Sequence, residues 1–255
     1  MNKFFKRLVL FLSIVLVVSV SISCIRNIDN SNKSGGNSNQ QQEQQVDFSN
    51  LTYIAFGDSI TYGANPFKNY SQIANPYPKL VSETLGFKSY YNPAVSGATL
   101  CSNSKNLYCM TDVVLSTTQH YDIVSVLLGF NDYNNSLPLG TINDSERTTI
   151  YGALKQIAEY LLQSQPNAFI FFMTPYKSSN WYNYNKSGYN LYDVAQAVKE
   201  VANKYNIPVL DMFNLGQFEV EMYNANSDGV HPSQEFFRTY TTPQIAQFIK
   251  DNYKK

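Results

Sequence analysis

"DIVSVLLG", residues 122–129, is the stretch that decides the fold. It is almost continuously apolar, which is typical of a strand buried on both faces rather than of one that faces water on one side. Two further runs have the same character, "LTYIAFG" (51–57) and "AFIFFMT" (168–174). Weaker strands are predicted at 88–92 and 207–211.

Helical patterns lie between these candidate strands. The clearest is an apolar stripe from Ile150 to Leu162, which predicts a helix over 144–164, with Asn143 and Glu146 suited to its start. Further helices are predicted near 76–86, 190–205 and 233–252. Strands that alternate with helices predict an α/β domain with a mostly parallel sheet.

The N-terminal residues have the layout of an export signal. Three basic residues precede an apolar run from 8 to 20, and small residues follow it, which predicts a signal peptide over 1–23. A membrane-spanning helix is the alternative, but the run is shorter than the ~20 residues that cross a bilayer.

Cys24 is a candidate for lipidation. The residues before it resemble a bacterial lipobox, except that Ser21 stands where leucine is usual. Residues 24–47 form a tether rich in Asn, Gln, Ser and Gly, and 48–255 are predicted to be one folded domain. We therefore expect an exported protein anchored to the bacterial cell surface as a lipoprotein, or else secreted.

The other two cysteines are a candidate disulfide pair. If Cys24 carries lipid, Cys101 and Cys109 remain as a pair that is predicted to form a disulfide, with two free thiols as the alternative.

The chain has 19 basic and 19 acidic residues and no basic stripe. Nucleic acid is therefore not an expected partner.

Candidate functional residues follow the carboxyl ends of the predicted strands. Ser59 follows the first strand in "AFGDSITYG", Gly97 the second and Asn131 the third, and His231 lies in the loop after the fifth. An open parallel sheet binds its ligands at the carboxyl ends of its strands. These four residues are therefore expected to meet at one edge of the sheet.

His231 is the candidate base for Ser59. The other histidine, His120, directly precedes a predicted strand and is expected at the opposite edge of the sheet. Asp228 lies three residues before His231 and is placed to orient its imidazole, as in a serine triad. The alternative for "SDGVHP" is a tight turn closed by proline. No cluster has metal-ligand spacing, so neither a metal nor another cofactor is expected.

An oxyanion that forms on an acyl group needs fixed donors. The backbone N–H groups of Ser59 and Gly97 and the side chain of Asn131 are the candidates, since glycine lets a bare backbone approach a substrate closely. Each signal alone is weak, because "GFND" (129–132) is also ordinary turn chemistry.

Taken together, "GDSI", "AVSGAT", "GFND" and "DGVHP" resemble, in this order, the SGNH hydrolases, also called GDSL esterases/lipases, over residues 51–252. The resemblance implies a flavodoxin-like three-layer sandwich with a five-stranded, mostly parallel sheet. Ile60 and Ala94 depart modestly from the family pattern. The chain has no Gly-x-Ser-x-Gly elbow, which argues against the other large esterase fold.

The resemblance also implies a role for each candidate residue. Ser59 would be the nucleophile, Asp228 and His231 would complete the triad, and Gly97 and Asn131 would stabilise the oxyanion. With histidine as the base, activity is expected to fall on acidification.

An aromatic segment, "PYKSSNWYNYNKSGYNLY" (175–192), follows the fourth predicted strand. Trp181, Tyr182 and Tyr184 are candidate substrate-binding residues that would stack sugar rings. A loop packed by its own tyrosines is the alternative.

These features predict an exported serine esterase that hydrolyses short-acyl, O-acetyl esters of extracellular or cell-wall carbohydrate. An acetylated polysaccharide is accordingly the expected partner. Two alternatives stay open: a lipase or lysophospholipase of the same family, and a surface glycan-binding protein without catalysis.

Overall fold

The computed structural model describes residues 46–103, 105 and 107–254. The predicted signal peptide over 1–23, Cys24 and nearly all of the tether lie outside the described residues. Within the described residues, no helix is both long and apolar enough to cross a membrane.

The described strands form one large sheet and one small hairpin. In chain order they are β1 (Thr52–Gly57), β2 (Ala64–Asn65), β3 (Ser71–Gln72), β4 (Ser89–Tyr91), β5 (Ile123–Leu127), β6 (Phe169–Met173) and β7 (Val209–Leu210). In the described residues the large sheet has five strands in the order β4-β1-β5-β6-β7, and every neighbouring pair is parallel. Strands β2 and β3 pair antiparallel. The predicted sheet is confirmed, and its strand order reverses at β1.

Helices cover both faces of the large sheet. They are α1 (Ser59–Tyr62), α2 (Tyr77–Leu85), α3 (Met110–Ser116), α4 (Phe130–Asn134), α5 (Ile150–Ser164), α6 (Leu191–Lys204), α7 (Gln217–Met222), α8 (Gln234–Phe236) and α9 (Thr242–Asn252). A π-helical turn (Phe237–Thr241) joins α8 to α9.

Alternate residues of each strand face opposite layers of helices. In β1, Ile54 and Phe56 pack in the cluster that contains the apolar faces of α3, α5 and α6, whereas Tyr53 and Ala55 pack in the cluster of α2 and α9. This arrangement is the flavodoxin-like three-layer sandwich, and it explains why the strands have no polar face.

Two predicted helix boundaries differ from the structure. Helix α5 begins six residues later than predicted, because Thr149 is its N-cap and accepts a hydrogen bond from the Gly152 N–H. The predicted helix over 233–252 is interrupted by the π-helical turn. Pro243 follows this turn and has no N–H to donate within the helix, which favours such a local widening.

The structure differs from the predicted disulfide: Cys101 and Cys109 are both free thiols. Each thiol is held within the loop that follows Gly97. The Cys109 Sγ donates to the Leu100 carbonyl at 3.2 Å. Burial raises the pKa of the Cys101 thiol, and the neighbouring Asp132 carboxylate raises it further.

Candidate active site

Ser59 lies at the first turn of α1, immediately after β1. Asp58 is the N-cap of this helix, and its Oδ1 accepts a hydrogen bond from the Ile60 N–H at 3.0 Å. A Cβ at Gly57 would stand 1.9 Å from the Thr61 Oγ1, so the chain can turn this sharply only with glycine there. Since N–H groups of a first helical turn have no partner within the helix, the Ser59 N–H is available to a ligand.

Ser59, His231 and Asp228 form one hydrogen-bonded chain. The His231 Nε2 lies 2.9 Å from the Ser59 Oγ, and the His231 Nδ1 lies 2.9 Å from the Asp228 Oδ2. The backbone N–H of His231 also donates to the Asp228 Oδ1 at 2.8 Å. The structure thus brings together three residues that the sequence separates by up to 172 positions.

The turn that carries His231 is fixed by contacts from neighbouring elements. The Tyr176 hydroxyl donates to the Val230 carbonyl, and the Ser179 N–H donates to the Gly229 carbonyl at 2.8 Å. On the other side, the Glu221 Oε1 accepts from the Ser233 N–H at 2.8 Å. "SDGVHP" is therefore both a tight turn and the carrier of the imidazole.

Asp228 is held in its ionised form. Partial burial raises its pKa, but hydrogen bonds from the His231 backbone and ring outweigh burial, so the net pKa lies below its ordinary value. The ionised Asp228 can accept a hydrogen bond from the Nδ1–H group of the imidazole. The Nε2 lone pair of His231 is then directed at the Ser59 hydroxyl.

Asn131 connects the loops that carry the other candidate donors. Its Nδ2 donates to the Ala98 carbonyl at 2.9 Å and to the Asp58 Oδ2 at 3.3 Å. Ala98 directly follows Gly97, and Asp58 directly precedes Ser59. The amide of Asn131 therefore links the loop that contains Gly97 to the turn that carries Ser59.

Gly97 has the geometry expected of a close approach to a ligand. Its φ of 82° lies in the left-handed region, which glycine tolerates, and a Cβ there would meet nothing within 4 Å. Its backbone faces open space, where a substrate can approach it.

Asp132 and Asp58 are buried carboxyls beside this site. Asp132 accepts from the Leu100 and Cys101 N–H groups at 2.8 and 2.9 Å, and it thereby fixes the loop after Gly97. Burial raises the pKa of both groups, to about 7 for Asp58. Burial is the main cause of the raised pKa of Asp58, and like-charge repulsion from Asp132 contributes to it.

The aromatic segment 175–192 divides into packed and exposed residues. Tyr176 and Tyr189 are buried. Trp181 packs edge-on against Phe213 at 5.4 Å, with the Lys177 Nζ 5.0 Å above its ring. The remaining aromatics, Tyr182, Tyr184 and Tyr192, are exposed. Tyr182 and Tyr184 are therefore more accessible to a substrate than Trp181 is. The substrate-binding role of these three residues stays a prediction.

One aromatic residue near the triad was not singled out from the sequence. The Tyr70 ring contacts the His231 imidazole, with centroids 5.4 Å apart and planes at 65°. Tyr70 belongs to the β2–β3 hairpin, whose only sequence signal is the Asn65-Pro66 pair typical of a turn. His120, by contrast, is exposed and lies before β5 at the opposite edge of the sheet.

The fold and the residues described above define an α/β protein with a serine–histidine–aspartate arrangement at the carboxyl ends of its strands. Residues 55–238 match the model of the GDSL-like Lipase/Acylhydrolase family. Because this match spans most of the chain, the protein belongs to that family, whose members include lipases and acylhydrolases.

Solved structures share this fold at low sequence identity. A protein from Lactobacillus plantarum has a TM-score of 0.67 at 20% identity, covering 80% of this chain and 99% of that one. The native M. smegmatis aryl esterase has 0.61 at 14%, covering 80% and 100%. A carbohydrate acetylesterase family member from Sinorhizobium meliloti has 0.55 at 16%, covering 79% and 98%. No curated protein matches the sequence.

Proposed function

We propose that this protein is a serine esterase that hydrolyses short-acyl esters through an acyl-enzyme on Ser59. The hydrogen-bonded chain from Ser59 through His231 to Asp228 carries the proposal, with distances of 2.9 Å on both sides of the imidazole. Membership of the lipase and acylhydrolase family supports ester hydrolysis as the reaction.

In the proposed mechanism His231 takes the proton of Ser59 as the Ser59 Oγ attacks the acyl carbon. Negative charge then develops on the carbonyl oxygen, where the N–H groups of Ser59 and Gly97 and the Asn131 amide would stabilise it. For this, Asn131 exchanges its long hydrogen bond to Asp58 for one to the oxyanion and retains the bond to Ala98.

His231 next gives its proton to the leaving alcohol, and the acyl group stays on Ser59. Water, deprotonated by the same imidazole, attacks the acyl-enzyme and releases the carboxylic acid. Throughout, ionised Asp228 stabilises the imidazolium that forms in each half of the cycle.

Acetyl esters are the proposed substrates. The carbohydrate acetylesterase family member from Sinorhizobium meliloti supports O-acetylated carbohydrate as the class of alcohol.

A series of p-nitrophenyl esters from acetate to palmitate tests the proposal. Wild-type turnover should be fastest on acetate, and Ser59→Ala should lower kcat by about 10⁴-fold or more. The substituted protein should keep the wild-type unfolding midpoint, which separates lost chemistry from lost folding. Turnover that peaks on long chains would identify a lipase. Turnover that survives Ser59→Ala would refute the nucleophile.

Two glycines provide a matched test of whether the substrate approaches Gly97 closely. Gly97 and Gly188 have the same φ of 82°, and a Cβ at either would meet nothing within 4 Å. Alanine at either position should cost about 1 kcal/mol of stability, because left-handed backbone disfavours a Cβ. Only Gly97→Ala should also lower kcat/KM, by about tenfold, because only its methyl would stand beside the reacting acyl group.

Equal activity of the two variants would contradict a close approach of the substrate to Gly97; the N–H group itself is present in both alanine variants.

Export and surface anchoring complete the proposal. The basic and apolar pattern of 1–23, Cys24 and the polar tether to 47 support a lipoprotein that acts outside the cell. Metabolic labelling with a radioactive fatty acid tests the anchor: label should be incorporated by the wild type and lost in Cys24→Ala.

A further inference from the structure

The hairpin of β2 and β3 holds a tyrosine in a conformation that large side chains rarely adopt. Asn69 and Tyr70 both have positive φ, 50° and 54°. Asparagine tolerates this left-handed region, whereas a bulky residue there is an outlier. Such conformations persist where the surroundings impose them, and they cluster at functional sites.

The strained backbone places the Tyr70 ring against the triad. The Tyr70 N–H donates to the Asn65 carbonyl at 2.9 Å, which closes the turn, and the ring makes an edge-type contact with the His231 imidazole. Tyr70 is 49% exposed, so much of its side chain faces solvent. No described residue makes a hydrogen bond with its hydroxyl, which leaves that group available to a ligand.

The position of the ring identifies the part of the substrate that it can meet. In ester hydrolysis the imidazole that accepts the Ser59 proton later donates it to the leaving oxygen, so the alcohol part of the ester departs beside His231. The acyl part, by contrast, stays on Ser59. A solvent-facing ring in contact with His231 therefore lies on the alcohol side of the site.

We infer that Tyr70 determines specificity by contacting the alcohol part of the substrate, and that it favours esters of cyclic alcohols. This inference rests on the proposed esterase function. A flat ring with a polar edge packs on the face of a sugar or phenol ring and hydrogen-bonds at its rim. A short linear alcohol has no such face to offer.

Acetates that differ only in the alcohol test this inference on the full chain. Ethyl acetate presents a linear alcohol, phenyl acetate an aromatic ring, and mono-O-acetylglucose a sugar ring. Tyr70→Asn removes the ring but keeps a residue that accepts left-handed backbone. It should lower kcat/KM about tenfold on at least one ring ester, mainly through KM, and less than about twofold on ethyl acetate.

Two further variants serve as controls. Tyr70→Phe retains the ring and should keep most of the preference for ring esters. Tyr91, on β4, is 54% exposed, and its ring has no contact with His231, so Tyr91→Asn should leave all three rates unchanged. A loss confined to mono-O-acetylglucose or to phenyl acetate identifies the sugar or the phenol as the preferred alcohol.

Equal losses on all three acetates would overturn the inference, because they would mean that Tyr70 only supports the imidazole.

Binding measured without turnover separates this inference from the proposed function. Methyl glucoside or phenol, added to wild type, should shift the imidazole NMR signals of His231, and Tyr70→Asn should abolish the shift. No shift with either compound in the wild type would overturn the inference even if ester turnover is found. A shift without Ser59-dependent turnover would support the alcohol site and refute the esterase.

Discussion

Asp228 and Asp58 are two carboxyls beside the same serine, and their surroundings shift their pKa values in opposite directions. The side chain of Asp228 is 25% exposed and accepts hydrogen bonds from the backbone and ring of His231, so its pKa is lowered. Asp58 is buried and accepts from the Ile60 N–H and the Asn131 amide, and burial raises its pKa to about 7. The partners and solvation of a carboxyl, rather than its distance from the nucleophile, thus decide its charge.

Substitution by asparagine should separate the two carboxyls by rate. Asp228→Asn removes the charge that stabilises the imidazolium and allows the wrong tautomer, so kcat should fall by about 10³–10⁴-fold. Asp58→Asn should cost about tenfold or less, because asparagine also caps a helix and Asn131 keeps its bond to Ala98. The kcat values of both variants on the best short-acyl ester check this.

A loss for Asp58→Asn as large as that for Asp228→Asn would mean that Asp58, too, takes part in the chemistry.

The Asp228–His231 pair was predictable from sequence because its members are three residues apart and both follow a strand. Pairing with Ser59 followed from topology, since parallel strands bring their carboxyl ends to one edge. Tyr70 was not predictable in this way. Its contact depends on a nine-residue hairpin, and no periodic pattern reports the course of such a short segment.

The elements of the fold likewise divide into those that the sequence predicts and those that it does not. Continuous apolar runs predicted β1, β5 and β6, because strands buried on both faces need no polar residues. Short elements such as α4 and α7 contain too few residues for a helical period to be visible. The start of α5 was misplaced because Asn143 and Glu146 resemble a helix start, whereas Thr149 makes the actual cap.

Asp132 is a third carboxyl beside the site, and its expected effect is on the stability of the fold. It accepts from two backbone N–H groups, and asparagine would turn an NH₂ group toward one of these donors. Asp132→Asn should therefore lower the free energy of unfolding by about 2 kcal/mol. Exposed Asp251, which accepts from the Gln247 side chain, is the matched control, and Asp251→Asn should change stability by less than about 0.5 kcal/mol.

Urea denaturation of both variants measures these differences. Equal stabilities would show that the two backbone bonds to Asp132 contribute nothing net to the fold.

A pH-dependent difference in stability is expected between wild type and Asp58→Asn. The unfolded chain ionises Asp58 near its ordinary pKa of 3.8, whereas the folded chain keeps the proton up to about pH 7. Between these values unfolding releases a proton, so this group makes the wild type less stable as pH rises. Asparagine carries no proton, and its advantage should grow from about pH 4 to about pH 7 and then stay constant.

The contribution of Asp228 to stability should depend on pH in the opposite sense. Because its folded pKa is lowered, its contribution to stability is present above about pH 4 and is lost only as pH falls through the lowered value. Urea denaturation at pH 4.5, 6 and 8 should therefore give a difference between wild type and Asp58→Asn that grows with pH. A difference for Asp58→Asn that does not change with pH would mean that Asp58 is already ionised in the folded protein, and that its hydrogen bonds from Ile60 and Asn131 outweigh its burial.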